Sequence, residues 1–334
     1  MGIRVIKPGM LTTVQDLGRT GYQSQGFSVA GVMDVRSFKI ANMLLDNPEN
    51  EPVLEFTMIG PTLEFTSDTI IAITGGKFEP KINGEPAPMY TAIYMHKGDI
   101  LEMGVAVSGT RGYIAFSSYL SVPVVMGSRS TNMKSSVGGF KGRKLQKDDF
   151  ILFRIKRRYL PYFLSRKLTP DDFSSQIVTL RVVMGPQDDV FTSDGIKTFL
   201  ESEYMVTSEF DRMGCRLDGP YIASKNGSDI ISDGIALGSV QVPAHGKPII
   251  LLSDRQTTGG YAKIATVATV DIPKLAQCRT DCKIHFEKIS VQQAQKLFLE
   301  EENALDQMRN EIHKPCKEVL DCRLTAKRVR SLFE

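Results

Sequence analysis

The sequence predicts a mainly β protein with a few helices. Short apolar and β-branched runs recur along both halves of the chain, and glycine, proline and asparagine residues separate them. Runs of this kind bounded by turn residues are typical of strands. Many short strands at such spacing favour a barrel or a sandwich over a parallel α/β sheet. The length of 334 residues indicates about two domains of ordinary size.

The first half of the chain opens with a strand at Val5. Glycines at positions 18, 21, 26 and 31 disfavour a helix, so residues 15–19 are predicted to be irregular. Asp34 is a good N-cap for a helix that ends before Pro48. Six more strands are predicted at residues 53–57, 62–66, 70–74, 88–94, 100–103 and 113–116.

The second half resumes with a strand at residues 177–184 and a short helix near residues 194–200. Residues 208–220 are predicted to form a bent strand or a loop, because Gly214 and Gly219 interrupt them. Beyond Ser290, apolar residues recur at helical spacing and predict a packing helix. The basic tail at residues 314–334 is predicted to be a short helix or a partly disordered end.

Charge and hydropathy exclude several classes of protein. Lys and Arg total 41 against 38 acids, and a net charge of +3 is too small to argue for nucleic-acid binding. Ten basic residues and two acids fall at residues 141–167, where a solvated linker is favoured over an RNA-binding segment. No apolar run approaches the roughly 18 residues of a membrane span, and no signal-peptide core is present. We expect a cytoplasmic protein without a membrane partner.

Two possible ligand-binding patterns are weak. Five cysteines without a secretory signal indicate free thiols. Cys278, Cys282 and His285 suggest a zinc site, but a fourth ligand is not apparent, although Cys316 and Cys322 lie downstream, and no metal is predicted. The glycines of GGFKGRK at residues 138–144 do not form a phosphate loop, because the Gly-Lys-Ser/Thr ending is absent.

The most informative stretch spans residues 232–271. Six consecutive hydrogen-bonding side chains at residues 253–258 precede Gly259 and Gly260 and lie between predicted strands. A polar loop in such a place is costly unless a ligand, water or other protein groups satisfy it. Two interpretations stay open, since the same residues build either the wall of an active site or a turn tied down by its own side chains.

Two further groups of charged residues have similar alternatives. Asp16 and Arg19 lie on the irregular segment, where they either converge on a ligand or interface or form a local ion pair. Arg212 and Arg216 are either a pair of surface arginines or include an anion contact, since a guanidinium suits bidentate binding of a carboxylate or phosphate.

Several segments resemble the allophanate hydrolase subunit 2 family, also called the KipA or biotin-dependent carboxyltransferase family. Its pattern Q-V-P, G-x-P-I, D-x-Q-T-T-G-G-Y is matched by residues 241–243, 246–249 and 254–261, with DRMGCRLDGP at residues 211–220. TTVQDLGRTGYQSQG at residues 12–26 and GSRST at residues 127–131 match in the first half. The sequence departs at Ser117 and Ser118, where the family usually carries a glycine pair, and at Thr280 and Asp281, which replace a Pro-Gly turn.

The resemblance implies two related, cyclophilin-like β-barrel domains. We therefore expect an N-terminal β domain with a basic linker at residues 1–168, a cyclophilin-like domain at residues 169–290 and a helical tail at residues 291–334. It also implies a heteromeric complex with a KipI-like subunit 1 protein and a LamB-like subunit. Fold alone carries no function.

The leading functional hypothesis from the resemblance is an ATP-dependent 5-oxoprolinase component that opens the 5-oxoproline lactam to glutamate. ATP is expected to be used through the complex, because this chain lacks a recognisable nucleotide motif. One alternative is a KipA-like binding protein that sequesters an inhibitor of a histidine kinase. Another is a urea or amide carboxyltransferase component, with biotin supplied only in trans because no Met-Lys-Met segment is present.

Site residues follow from this chemistry. A lactam is a poor electrophile, so a site must polarise its carbonyl and manage a proton. The predicted catalytic residues are Asp254, Arg212 and Arg255. The predicted substrate-binding residues are Gln241, Gln256, Thr257, Thr258, Gly259, Gly260, Tyr261, Asp16 and Arg19.

Overall fold

A computed structural model of the chain describes residues 1–156 and 159–315. Within this described part, eleven strands lie in the first half, defined here as residues 1–168. They are β1 (Gly2–Lys7), β2 (Leu11–Gln15), β3 (Val53–Thr57), β4 (Thr62–Phe65), β5 (Thr69–Lys77), β6 (Lys81–Ile82), β7 (Glu85–Pro86), β8 (Ala92–Met95), β9 (Ile100–Glu102), β10 (Ser108–Phe116) and β11 (Phe150–Leu152). The strands predicted from the turn pattern therefore form, with shifted ends.

The strands of the first half build two sheets around a common core. One sheet has the order β11-β1-β4-β9-β6-β7 and the other the order β2-β3-β10-β5-β8. In β1, Ile3 and Val5 are fully buried while Arg4 points to solvent, which is the alternation expected when one sheet face covers the core. Apolar residues from both sheets join one hydrophobic cluster.

One helix, α1 (Val35–Leu44), packs on β5 and β10. The Asp34 side chain accepts a hydrogen bond from the Ser37 backbone N–H (2.9 Å), so the predicted N-cap is confirmed. Phe38, Ala41 and Leu44 recur at helical spacing and are fully buried. The helix therefore contributes a second apolar cluster to the first half.

The second half contains a closed barrel of seven strands in the order β12-β19-β16-β17-β14-β13-β20, with a separate two-stranded ribbon of β15 and β18. The strands are β12 (Ile177–Met184), β13 (Tyr204–Phe210), β14 (Gly214–Asp218), β15 (Asp229–Gly234), β16 (Ser239–Gln241), β17 (Ile249–Leu251), β18 (Thr258–Tyr261), β19 (Lys263–Val267) and β20 (Lys283–Lys288). The helices are α2 (Ser193–Glu201) and α3 (Ile272–Ala276). Short 3₁₀ helices in the chain lie at Gln23–Gln25, Phe163–Ser165, Asp188–Val190 and Thr269–Asp271.

The mainly β fold is confirmed, and the closed barrel is compatible with the cyclophilin-like fold that the resemblance implies. The two halves also interlock, because Met33 from the first half is 1% exposed and belongs to the apolar core of the barrel. The division of the chain at residues 168 and 290 stays a prediction.

The last described helix, α4 (Val291–Ile312), begins with a capping box between Ser290 and Gln293. It follows the barrel in sequence but also packs on α1 of the first half. Leu305 and Ile312 enter the apolar cluster of that helix. Ion pairs flank the contact, with Arg36 bonded to Glu301 and Lys39 bonded to Glu302 (2.8 Å).

Within the basic stretch at residues 141–167, two arginines pack against acids of the first half, whereas Lys141, Lys144, Lys147, Arg154, Lys156 and Lys167 are exposed. The interpretation of this stretch as a linker stays a prediction. Arg166 is fully buried, and its guanidinium donates to the carboxylate of Asp46 and the carbonyl of Leu44. Arg143 forms a two-point ion pair with Asp149. The carboxylates of Asp149 and Asp46 compensate the charges of Arg143 and Arg166, so both arginines can pack against the first half. Arg157, Arg158 and the tail from residue 316 onward lie outside the described residues.

No helix within residues 1–156 and 159–315 combines the length and the hydropathy that crossing a bilayer requires.

Candidate functional site

The polar loop at residues 253–257 joins β17 to β18 and touches the first half of the chain. Ser253 donates a hydrogen bond from Oγ to the Val32 carbonyl (3.1 Å), and Ser28 donates from Oγ to the Arg255 carbonyl (2.8 Å). Asp254 and Arg255 are buried, whereas Gln256 is half-buried. The loop therefore presents some side chains to the junction between the halves and others to solvent.

Arg212 and Asp254 form a two-point ion pair at this junction. Arg212 Nε lies 3.0 Å from Asp254 Oδ2, and Nη2 lies 3.0 Å from Oδ1. Arg212 Nη1 contacts Glu55 of β3, and Nη2 also donates to the Gly31 carbonyl. All three charged side chains are at most 7% exposed. Burial opposes the charge of Arg212, but Asp254 and Glu55 together raise its pKa, so it stays protonated.

The network continues into the first half through Glu55. Glu55 Oε2 accepts hydrogen bonds from the Tyr113 hydroxyl (2.9 Å) and the Met33 N–H (2.8 Å). The Tyr113 oxygen in turn accepts from the Asp34 N–H (2.9 Å). Sequence reasoning missed Glu55, although an acid inside the apolar strand VLEFT is a signal for a buried charge with a partner.

Gln277 closes the network next to α3. Its Oε1 accepts from the Thr110 and Arg111 N–H groups (both 2.9 Å), and its Nε2 donates to Asp34 Oδ2 (2.8 Å). Burial raises the pKa of Asp34 to about 6 against the opposing hydrogen bonds from Gln277 and Ser37. We call this buried network the seam; its members are Asp34, Glu55, Tyr113, Arg212, Asp254 and Gln277.

Asp16 and Arg19 lie together but do not form the local ion pair considered above. Asp16 accepts hydrogen bonds from the hydroxyls of Ser128 and Ser130 (both 2.6 Å) and from the Arg129 N–H, so it organises the segment at residues 127–131. Arg19 donates from Nη2 to the Ser130 carbonyl. Among the residues described, its Nε and Nη1 find no hydrogen-bond partner although the side chain is 1% exposed.

Two buried guanidinium nitrogens without a hydrogen-bond partner are energetically costly, and Arg19 carries such a pair. Burial lowers its pKa, and the charges of Asp16 and Asp254 act in the opposite direction. Arg255 is also buried, and it donates to the carbonyls of Ile235 (3.1 Å) and Leu252 (3.2 Å). Burial lowers the pKa of Arg255. Of these two arginines, Arg19 is the one with two buried nitrogens that lack a hydrogen-bond partner among the described residues.

The outer face of the barrel carries a cleft of about 470 Å³, which we call the barrel cleft. Gln241, Gln256 and Tyr261 of the predicted set line it. Its other lining residues are Ser208, Glu209, Phe210, Asp211, Met213, Gly214, Arg216, Ile249 and Leu251.

Two side-chain amides converge in this cleft beside Gly259. A Cβ on Gly259 would stand 2.9 Å from Gln241 Nε2 and 3.7 Å from Gln256 Nε2. Gln241 Nε2 donates to the Tyr261 carbonyl (3.3 Å). The missing side chain therefore leaves room for both amide groups, which offer neutral donors and acceptors to a ligand.

The prediction that the polar loop continues through Gly260 is wrong. Residues Thr258–Tyr261 form β18 and pair with β15, so this backbone follows a ladder instead of an open turn. Thr258 is exposed, Gly260 is half-buried, and the half-buried Thr257 accepts a hydrogen bond at its carbonyl from the Ile235 N–H (3.0 Å). This segment forms a strand instead of a loop because its backbone can pair with the edge of β15.

The zinc and phosphate-loop patterns do not assemble into ligand sites. The sulfur atoms of Cys278 and Cys282 are in contact. His285 pairs elsewhere, with its Nε2 at 3.3 Å from Glu203 Oε2. Cys316 and Cys322 lie outside the described residues, within which no group of three possible metal ligands occurs. A Cβ on the glycines at positions 138, 139 and 142 would collide with atoms of residues 130, 131 and 136, so these glycines permit close packing of the segment.

A family model described as "Carboxyltransferase domain, subdomain A and B" matches residues 25–288. The chain belongs to this carboxyltransferase domain family. The family match covers both the seam and the barrel cleft, and it confirms the resemblance stated from the sequence motifs.

Named relatives of this carboxyltransferase-family chain fall into two groups. It is 33% identical over 318 residues to a 5-oxoprolinase subunit of Escherichia coli (strain K12), covering 93% of this chain and 99% of that protein. It is 35% identical over 297 residues to the 5-oxoprolinase subunit of the same name in Haemophilus influenzae, covering 89% and 94%. The solved K. lactis urea amidolyase matches with a TM-score of 0.85 and 28% identity, covering 92% of this chain and 20% of the larger protein.

Proposed function

We propose that this chain is a subunit of an ATP-dependent 5-oxoprolinase complex that opens the 5-oxoproline lactam to glutamate. The observation that carries the proposal is the match to 5-oxoprolinase subunits of two bacteria, over 99% of the length of one and 94% of the other. Because the match covers nearly the whole of each subunit, we expect this chain to have the same domains as those subunits. The partners in this proposal are a KipI-like subunit 1 protein and a LamB-like subunit.

The barrel cleft is where we place the lactam. A lactam presents one N–H donor and one carbonyl acceptor on the same edge. The side-chain amides of Gln241 and Gln256 offer both complementary groups, and they converge beside Gly259. The volume of about 470 Å³ lies within the usual range for small-molecule sites. Neutral donors suit this group because the amide carries no charge before reaction.

Arg19 is the group that we assign to an anionic part of a ligand. Its two unpaired nitrogens lie near the charge of Asp254 at the seam, and a carboxylate or phosphate oxygen would satisfy them. Arg212 and Asp254 have a different role in this proposal. Because their charged groups are already bonded to each other, we treat them as positioning residues that hold the loop bearing Gln256.

ATP supplies the free energy of lactam opening in this proposal. The glycine segment at residues 138–142 lacks the Gly-Lys-Ser/Thr ending of a phosphate loop, so we assign nucleotide use to the complex. The contribution of this chain is then to bind and orient the lactam.

The experiment measures glutamate release from 5-oxoproline and ATP by the chain mixed with its two partner subunits, each omitted in turn. Activity that requires this chain supports the proposal. The Gln256→Ala variant should lose about tenfold in kcat/KM, since it removes one amide contact worth about 1.4 kcal/mol. Gln295→Ala on α4 is the matched control and should leave kcat/KM unchanged. Unchanged activity for Gln256→Ala would show that the lactam does not bind in the barrel cleft.

A second function is carboxyl transfer to urea or another amide. The carboxyltransferase family model and the TM-score of 0.85 to the K. lactis urea amidolyase favour it. Carboxybiotin supplies an activated carboxyl group in such chemistry, and it would arrive on another domain because this chain lacks a biotin-carrying segment. The paired amides of the barrel cleft also fit a ureido group. Turnover that depends on a biotinylated carrier and not on the LamB-like subunit would select this function.

A third function is KipA-like binding of the subunit 1 protein without catalysis. The omission experiment would support it if this chain forms a complex with the subunit 1 protein but its omission leaves glutamate release unchanged.

A further inference from the structure

Two cysteine thiols lie in contact beside the seam. The sulfur atoms of Cys278 and Cys282 are 3.6 Å apart, and the side chains are 4% and 2% exposed. A tight turn brings them together. The Cys282 N–H donates to the Arg279 carbonyl (3.2 Å), while Asp281 has a φ of 69° and donates its N–H to the Val206 carbonyl (2.9 Å). The fold thus holds two thiols at a separation that a small movement converts into a covalent bond.

The two thiols are chemically different from the third described cysteine. The hydrogen bond between them lowers the pKa of Cys282 and raises that of Cys278. Burial raises the pKa of Cys215 in the barrel core. Because the thiolate is the reactive form of cysteine, the raised pKa of the buried Cys215 makes that thiol unreactive, whereas Cys278 and Cys282 share a hydrogen bond.

A small oxidant can reach the pair. Cys278 lines a cleft of about 260 Å³ whose other walls include Lys274, Ser175 and Thr179. Cys282 lies directly behind Cys278, at the 3.6 Å contact between the sulfurs.

We propose that Cys278 and Cys282 are a dithiol modification site that a hydroperoxide converts to a disulfide, loosening Gln277 from the seam. Cys278, which lines the cleft, attacks the peroxide O–O bond as its thiolate and becomes a sulfenic acid, releasing water after protonation. The Cys282 thiol, in contact with Cys278, then displaces the sulfenic hydroxyl, which leaves as a second water when the S–S bond forms. The two thiols lose two electrons and two protons in total, and the peroxide is reduced to two waters.

Gln277 connects this chemistry to the seam because it directly precedes Cys278. A disulfide bond is about 2.05 Å long, so the sulfurs must approach by about 1.5 Å from their 3.6 Å separation. Gln277 holds the Thr110 and Arg111 N–H groups at 2.9 Å and Asp34 at 2.8 Å. Hydrogen bonds of this length weaken steeply when their partners move by such distances.

Tryptic digestion tests the disulfide directly, because Arg279 lies between the two cysteines. The reduced full chain is treated with hydrogen peroxide, quenched with catalase, denatured with iodoacetamide present, and digested. Trypsin yields LAQCR (residues 275–279) and TDCK (residues 280–283). We expect a linked pair of these peptides as the main product, about 2 Da lighter than their sum.

Cys215→Ala is the control and should give the same linked pair, because that thiol takes no part. Recovery of both peptides separately and alkylated after oxidation of the native chain would overturn the proposal. The same holds if the linked pair appears only when peroxide is added after denaturation.

Amide hydrogen exchange tests the coupling to the seam. In the oxidised chain, the Thr110 and Arg111 amides should exchange about tenfold faster than in the reduced chain. The Ile114 amide, which pairs in the ladder between β10 and β3, should not change. Dithiothreitol should restore the original rates. Unchanged exchange at Thr110 and Arg111 in a chain that carries the disulfide would overturn the coupling.

Discussion

The seam and the barrel cleft both contain residues of the family motifs, but these residues have different environments in the two places. In the seam, Arg212 and Asp254 are buried and bonded to each other and to Glu55. In the barrel cleft, the amides of Gln241 and Gln256 face a space of about 470 Å³. Arg212 and Asp254, which sequence reasoning assigns to catalysis, are bonded to each other and, through Glu55, to the other half of the chain. The neutral amides of Gln241 and Gln256 line a cleft instead.

Removing the central charge of the seam should give the largest effect. Arg212→Ala leaves Glu55 and Asp254 buried without their cation, and breaking such a pair costs about 3–5 kcal/mol. Urea unfolding followed by circular dichroism measures the loss. Arg216→Ala is the matched control, because Arg216 is 49% exposed in its pair with Glu209 and should cost less than about 1 kcal/mol. Equal losses for both variants would show that the seam does not hold the halves.

Asp34 gives the seam a pH dependence with a defined sign. Its folded pKa of about 6 lies above the ordinary value of 3.8, so the folded state binds the proton more tightly. The stability from this group is therefore complete below pH 3.8 and declines as pH rises to about 6. Relative to Asp34→Asn, the wild-type free energy of unfolding should fall by on the order of 3 kcal/mol across that range. Urea titrations at several pH values measure the difference, and a flat difference would mean that Asp34 stays charged.

Gly259 offers the smallest and most local test of the barrel cleft. In Gly259→Ala, the new methyl group would meet Gln241 Nε2 at 2.9 Å and Ile235 Cδ1 at 2.8 Å, so the Gln241 amide must move. We expect a loss of about tenfold in kcat/KM, equal to about 1.4 kcal/mol, with the fold retained. In the control Gly260→Ala, the nearest atom is the Ile230 carbonyl oxygen at 3.4 Å, an ordinary contact. Steady-state kinetics compare the two, and equal losses would argue against a role for the Gln241 amide.

Much of the fold follows from local patterns in the sequence. The turn residues predict the short strands, Asp34 predicts the start of α1 as its N-cap, and apolar spacing predicts the helix beyond Ser290. Closure of the barrel depends on pairing between strands far apart in the chain, and the family resemblance supplied it. The strand β18 was missed because the polar run hides its pairing with β15.

The candidate site was predicted less completely than the fold. Gln241, Gln256 and Tyr261 do come together in one cleft, and Asp16 lies beside Arg19 at the junction of the halves. Their catalytic and binding roles stay predictions. Glu55 and Gln277 could not be paired with Arg212 and Asp34 from the sequence, because each partner lies in the opposite half of the chain. Side-chain partners that distant depend on the assembled tertiary structure.

The position of α4 has a consequence for synthesis on the ribosome. Leu305 and Ile312 fill part of the apolar cluster around α1, yet they are translated only after every strand of the barrel. Domains generally fold in order as the chain emerges, with the N-terminal one first. Here the apolar surface around α1 in the N-terminal half stays uncovered until α4, which follows the whole barrel, has been synthesised. The apolar cluster around α1 is therefore complete only after α4 has been synthesised.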